Sequence, residues 1–286
     1  MTVGIYAGDS RLLGLQECFP RLHAYFHRIG QPTLLRCLLK SALPSGSGSD
    51  QPTGRDHKVE ISEELRAVGM YSFPRGLQQL PDHIVSYLQE NYPDRFQLHL
   101  NTSIMEIEKS LGQEGLSIGL EGAHSSSQKI CHLFNSLPAK ATAQILEQSK
   151  SLGDTSHSQK LLRSIPTVDV AVIQLAWEGT IPMSHKGFGY LVAPETNQKI
   201  LGVTFDSQNF PEHLQGQQQT RMTVMMGGAP SLGMRLEDYS LSDLKSMASE
   251  TVQRHLQLSE PPTSIHGHVY KQAIPQYYVS LLQELD

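Results

Sequence analysis

The sequence holds three cysteines and a single tryptophan in 286 residues. Cys18, Cys37 and Cys131 are odd in number, far apart and outside any CxxC spacing, which argues against a disulfide framework and a thiolate zinc site and fits a reducing or neutral compartment. Basic charge is sparse as well: 23 Lys and Arg face 28 Asp and Glu, scattered along the chain for a net charge of -5. No basic face exists to neutralise a phosphate backbone, so nucleic acid is not an expected partner. Long apolar runs are missing too. The most apolar stretch, "VDVAVIQLAW", is interrupted by Asp169 and Gln174 and falls far short of the roughly 20 residues a spanning helix needs. The first residues carry neither an apolar secretory core nor an Arg-rich amphipathic pattern, so any targeting signal is expected to be internal or absent from this sequence. Finally, GxGxxG, P-loop, GxSxG, HExxH and EF-hand signatures do not occur.

What is present is an ordinary globular composition, with 38% hydrophobic residues to fill a core. "LLGLQECFPRLHAYFHRIGQPTLLRCLLK" reads as short helices broken at Pro20 and Pro32. The Ser/Gly/Pro-rich "SALPSGSGSDQPTGRD" has almost nothing to bury and reads as a flexible surface loop. In "YSFPRGLQQLPDHIVSYLQENY", Leu77, Leu80, Ile84, Val85 and Leu88 fall on one helical stripe after a turn at Gly76. "RFQLHLNTSIMEIEKS" and "GLSIGLEG" alternate with period two, "KICHLFNSLPA" reads as a buried strand beside them, and "ATAQILEQSK" as a short helix. From Val168 onward strands dominate: "VDVAVIQLAW", "GFGYLV", "ILGVTFDS" and "RMTVMMGG". One amphipathic helix, "LSDLKSMASETVQRHL", with Ser242 as its expected N-cap, would cover that sheet. The fold class predicted is α+β.

Few residues look chemical. His266 and His268, two apart in "SIHGHVY", would share one face of a strand, as some metal sites require, yet no third ligand accompanies them and an exposed strand pair is the plainer reading. His23 and His27 lie four apart on an expected helix, again without an acid nearby. Asp169 and Asp206 read as isolated carboxylates on strands, which leaves no pair for acid–base work. Two stretches stand out from plain scaffold. "HKGFGYLVAP" sets Phe188 and Tyr190 among glycines, and "RMTVMMGG" closes a strand with methionines and glycines; both suit a backbone approached closely by a flat apolar ligand, although packing explains them as well.

Taken in order, "GIYAGDSRLLGL", "CFPRL", "RGLQQLP", "NSLPA", "SIPTVDVAVIQL", "GFGYLVAP", "LGVTFDSQNFPE", "RMTVMMGG" and "HVYKQAIPQY" resemble the landmarks of the oxygen-dependent protoporphyrinogen oxidases, flavoproteins of haem biosynthesis within the FAD-linked amine oxidase group. The resemblance covers essentially the whole chain. It implies the oxidation of protoporphyrinogen IX to protoporphyrin IX, with FAD as hydride acceptor and oxygen as final oxidant. It also implies a dinucleotide-binding half-domain ahead of "GIYAGDS" and a Gly-rich flavin segment after "IPQY". Neither is in this sequence, so the FAD site is expected to be incomplete here, and a non-catalytic product of the same family is the alternative reading. Arg75-Gly76 departs from the two adjacent glycines usual in the family.

Carried over position by position, the resemblance puts Gly4 beside the flavin ring, its carbonyl aligning the porphyrinogen carbon that loses hydride. Phe188, Gly189, Leu191 and Met225 would form the apolar slot for the macrocycle, and Ile104 would contact FAD through its backbone. The implied domains are residues 1–62, part of a helical membrane-associating domain with its Ser/Gly loop; 63–140, part of the FAD-binding domain; 141–268, the substrate-binding sheet domain; and 269–286, a return toward the FAD domain. The implied location is the mitochondrial inner membrane, bound peripherally, and a homodimer is the implied assembly. No metal is expected.

Overall fold

The computed structural model describes residues 6–20, 23–24, 70–109, 115–123, 126–183, 186–193, 196 and 198–279. Gly4, His27, Pro32, Cys37, the Ser/Gly loop and most of the expected membrane-associating helices lie outside the described residues. Of those helices, one turn, α1 (Leu15–Cys18), is described.

Helix α2 (Gln79–Asn91) follows a turn in which Gly76 adopts φ +83, with nothing within 4 Å of where a Cβ would sit. The glycine at Arg75-Gly76 thus serves the positive φ rather than a close approach. The stripe foreseen for this helix is present, but none of its residues is buried, and Leu80 and Ile84 are 47% and 50% exposed. Helical spacing reports a helix; it does not report what packs on it.

Three antiparallel strands follow, β1 (Thr102–Lys109), β2 (Leu116–Gly122) and β3 (Ser126–Ile130), in the order β1-β2-β3. Here the sequence reading needs correction. "KICHLF" is not a buried strand: β3 is the polar "SSQKI", and Phe134 is 94% exposed. The ladder runs from Leu120↔Ser126 to Leu116↔Ile130, and because β2 begins at Leu116, residues after Ile130 have no strand to pair with. Helix α3 (Ala139–Gln148), entered through Pro138, is fastened to the free edge of β1 by Ser149. That hydroxyl donates to the Ile145 carbonyl at 2.6 Å and accepts the Ile107 N–H at 2.8 Å. Helix α4 (Ser156–Ser164) was not foreseen, since "SHSQKLLRS" offers two adjacent leucines and no stripe.

The second half forms a five-stranded antiparallel sheet from β4 (Thr167–Glu178), β5 (Gly189–Leu191), β6 (Ile200–Thr204), β7 (Gln219–Gly227) and β8 (Ser264–Pro275), ordered β5-β6-β7-β4-β8. A four-residue helix, α5 (Asp206–Asn209), follows β6. Alternation in β4 and β7 sends Ala171, Ile173, Leu175 and Trp177, with Met222, Val224 and Met226, to one face, where all are buried. Helix α6 (Leu241–Leu256) closes that face with Leu244, Ala248 and Val252, each fully buried. Its N-cap is Ser240 and not Ser242. The Ser240 hydroxyl accepts the Asp243 N–H at 3.2 Å, and the Asp243 carboxylate accepts the Ser240 N–H at 2.9 Å, a reciprocal capping box. Asp169 stands opposite a bulge in β8, where residues 271–273 face it alone; it pairs with Lys271 at 2.8 Å and accepts the Gln272 N–H at 2.8 Å, so it is not isolated.

Truncating the centre of this sheet tests the layering. Ile173→Ala is expected to lower the unfolding free energy by about 3 kcal/mol, and Ile84→Ala, on the uncovered α2 stripe, by less than about 0.5 kcal/mol. Urea denaturation followed by far-UV circular dichroism separates the two.

Candidate functional site

Among the described residues no element covers the face of the five-stranded sheet opposite α6, and pairing aligns the residues of this open face in rows. One row runs Leu191↔Gly202↔Met225↔Val172↔His268 and the next Gly189↔Thr204↔Thr223↔Gln174↔His266. Leu191 and Met225 are 53% and 37% exposed on that face. Between them Gly202 carries no side chain; a Cβ there would lie 2.9 Å from Leu191 Cδ2 and 2.8 Å from the Tyr190 carbonyl. The leucine therefore lies over the glycine, and with Met225 it makes a shallow apolar strip. In the next row, Gly189 has φ +150, and a Cβ would stand 2.1 Å from the Val203 carbonyl oxygen. Only glycine fits there.

Tyr190, between Gly189 and Leu191, points the other way. Its hydroxyl lies 2.9 Å from His255 Nδ1, and its ring packs on Phe205 with centroids 6.1 Å apart. Burial pushes the Tyr190 hydroxyl up to about 12 and, with Arg254 adding repulsion, pulls His255 below its usual range. Phe188 leads into β5 with its side chain exposed, while its carbonyl accepts the Phe205 N–H at 2.9 Å and Asn209 Nδ2 at 2.8 Å. Gly189, Leu191 and Met225 thus meet on one corner of the open face, with Phe188 beside them. Ile104 does not join them: it lies in β1 and lines a cavity of about 590 Å³ with Met105, Phe134, Leu137 and Ile145.

Three sequence landmarks converge at the end of β7. Gly228 adopts φ +91, donates its N–H to the Asp169 carbonyl at 2.9 Å, and would carry a Cβ 2.4 Å from the Ala7 carbonyl oxygen. That oxygen accepts the Ala229 N–H at 2.7 Å. Backbone meeting backbone thus explains Gly228 of "RMTVMMGG", while at Gly227 a Cβ would meet the Leu236 side chain at 2.6 Å. Gln276 of "IPQY" is wholly buried; its N–H donates to Pro166 at 2.8 Å and its Nε2 to the Tyr6 carbonyl at 2.9 Å. Gly8 makes room for it, since a Cβ would sit 2.2 Å from Gln276 Oε1, an atom with no hydrogen-bond partner. Sequence reasoning did not single out Gln276 or Gly202, although a glycine inside the aliphatic "ILGVTF" is a signal of close approach.

Beyond the apolar strip the face turns polar. Asp206, expected on a strand, instead begins α5, and its Oδ1 and Oδ2 accept the Thr204 and Thr223 hydroxyls, each at 2.6 Å. A cavity of about 350 Å³ opens there, lined by Gln174, Asp206, Arg221, Ser264 and His266 among others. His266 and His268 share the open face, and among the described residues no three His, Cys, Asp or Glu side chains are grouped to hold a metal. At its polar end the Ser264 hydroxyl lies 3.2 Å from His266 Nε2, and the geometry of the face as a whole suits holding a flat apolar molecule with a polar end.

No family model matches the sequence. The protoporphyrinogen oxidase of Bos taurus is 28% identical over 293 aligned residues, covering 99% of this chain and 55% of that protein. The human protoporphyrinogen oxidase is 27% identical with the same coverage. The chain spans about half the length of the curated relatives it matches, 55% for both. The crystal structure of a protoporphyrinogen oxidase-like protein from Exiguobacterium sp. 255-15 superposes with a TM-score of 0.67 at 17% identity, over 99% of this chain and 53% of that one. Sequence similarity to protoporphyrinogen oxidases therefore runs the length of the chain, and the mixed α/β fold with open sheets is that of the Exiguobacterium protein.

The loop carrying Ala7 and Gly8 has an electrostatic anchor that can be tested. Asp9, buried, accepts Arg11 N and Nε at 3.0 Å each and Nη2 at 2.7 Å, and those hydrogen bonds hold its carboxyl well below the usual carboxylate range. A depressed native pKa contributes stability above the unfolded value of about 4 and loses it as the pH falls toward the native one. Melting temperatures of wild type and Asp9→Asn are expected to differ by a constant amount near neutral pH and to draw steadily together as the pH falls below about 4. Parallel curves across the range would refute this assignment.

Proposed function

We propose that this chain serves in a protoporphyrinogen oxidase, catalysing the FAD-dependent, six-electron oxidation of protoporphyrinogen IX to protoporphyrin IX in haem biosynthesis with oxygen as acceptor. The observation that carries the reading is the coincidence of two facts. Similarity to protoporphyrinogen oxidases spans 99% of the chain, and Gly189, Leu191 and Met225, the substrate residues the resemblance names, fall together on one open strip of sheet.

FAD, when bound, supplies the acceptor for the hydride removed in each two-electron step. In this reading Ile104 would touch that group through its backbone. Ile104 lies on an edge strand beside an apolar cavity of about 590 Å³. Farther along the same edge the Ile107 and Lys109 N–H groups are taken by Ser149 and Ser151 hydroxyls. In this reading Leu191 and Met225 grip the faces and edge of the macrocycle by dispersion and thioether contact, and Phe188 adds its exposed ring at the corner. Gly4 orients the reacting carbon through its carbonyl. It lies outside the described residues; Tyr6, two residues on, is held by Gln276. Positioning, rather than proton transfer by a side chain, is the task left to this chain.

We place the protein peripherally on the mitochondrial inner membrane, as a homodimer, on the strength of the resemblance. Among the described residues no helix is long and apolar enough to cross a membrane.

The direct test is the visible spectrum of the purified 286-residue chain after incubation with FAD and desalting. A retained flavin spectrum supports the reading; a colourless protein refutes flavin binding by this chain. Substrate placement has its own test, because each apolar side chain removed from the strip costs about 1.5 kcal/mol of contact, or about tenfold in affinity. Leu191→Ser and Met225→Ser are expected to weaken protoporphyrin IX binding by that factor in a fluorescence titration, and Leu241→Ser, exposed on α6 behind the sheet, to leave it unchanged.

A further inference from the structure

We infer that Tyr190 and His255 are positioning residues that hold strand β5, and with it Leu191, in place for the flat molecule on the Leu191–Met225 strip. The inference rests on the porphyrin reading above. Strand β5 is three residues long and lies at the edge of the sheet beside β6. Glycines stand at its start and two residues before, Gly189 at φ +150 and Gly187 at φ +148, so the chain entering it offers little stiffness of its own. Among the described residues no element covers Leu191 on the open face, so its place is set by the backbone that carries it.

That backbone is gripped from behind. Tyr190 turns its side chain to the α6 side, where its ring packs on the buried Phe205 with centroids 6.1 Å apart and on His255 at 5.6 Å. Its hydroxyl lies 2.9 Å from His255 Nδ1, a contact across 65 residues of sequence. His255 stands in the last turn of α6, and the fully buried Leu244, Ala248 and Val252 fix that helix to the sheet, so the imidazole is a firm anchor. Burial raises the pKa of the hydroxyl and lowers that of the imidazole, which keeps both neutral near pH 7; the hydroxyl then donates and Nδ1 accepts. A cavity of about 440 Å³ adjoins the pair, bordered by Lys186, Gly189, Phe205 and Leu256, and gives the ring room to shift once the hydroxyl is released. Successive side chains of a strand point to opposite faces, so a shift of Tyr190 behind the sheet moves Leu191 in front of it.

The test is a fluorescence titration of the full chain with protoporphyrin IX for wild type, Tyr190→Phe, Leu191→Ser and the double variant, with far-UV circular dichroism to show that each is folded. Tyr190→Phe is expected to weaken binding about fivefold when Leu191 is present, the worth of one hydrogen bond. In the Leu191→Ser background it is expected to cost less than about twofold, because the side chain it positions is gone. His255→Leu should match Tyr190→Phe, and His255→Asn, which keeps an acceptor near the Nδ1 position, should recover most of the affinity. Where His255→Leu does not fold, the two Tyr190→Phe comparisons decide. A Tyr190→Phe chain that binds like wild type, or that loses the same factor with and without the Leu191 side chain, overturns the positioning role and leaves porphyrin binding on the strip standing. Failure of the wild type to bind the porphyrin overturns the reading of the open face and the role of Tyr190 and His255 together.

Discussion

At the end of β7 Gly228 lets the backbone run directly against the carbonyl of Ala7, and the geometry of the open face follows from that approach. The Ala229 N–H closes on the Ala7 oxygen at 2.7 Å, and a side chain at Gly228 would have to occupy the same space. On the other side of the loop Gln276, buried without an exposed atom, spans from the Pro166 carbonyl to that of Tyr6. The loop from Tyr6 to Asp9 is thus clamped between the ends of three strands. It is held by backbone groups and one carboxamide, so the polar atoms are paired in a place where water is excluded, save Gln276 Oε1.

From that clamp the sheet runs outward with two unlike faces. Burial of Ile173, Met222, Val224 and Met226 beneath α6 supplies the cohesion, and the period of two then leaves the opposite face to whatever the intervening positions carry. Nearest the clamp those positions are Leu191, Met225 and Val172; farther out they are threonines, Gln174 and Arg221. The gradient from apolar to polar along one face is what makes the sheet readable as a binding surface. The Asp206 carboxylate adds a tie between β6 and β7 through two threonine hydroxyls, beside the backbone ladder that joins them.

Local patterns were legible where they repeat over many residues. Alternation announced β4 and β7, and the stripe in "LSDLKSMASETVQRHL" announced α6, because periodicity averages over many side chains. Signals carried by few residues misled. "CHLF" looks like the rest of a strand and is not paired, since β2 offers it no partner beyond Ile130, and α4 has no stripe to reveal it. The cap of α6 fell on Ser240 instead of Ser242 because Asp243 completes the box three residues on.

The sequence alone determined which stretches alternate, where glycine rather than another residue stands, and that "GFGYLVAP" and "RMTVMMGG" belong to the same resemblance. Only the tertiary structure decided that Leu191 and Met225 share one row across Gly202, that Arg221 lies on the same face, and that Gln276 reaches a carbonyl 270 residues away. The reason is register. A slip of one residue in any ladder turns every side chain of that strand to the other face, and register is set by pairings between residues far apart in the chain, which no local pattern encodes.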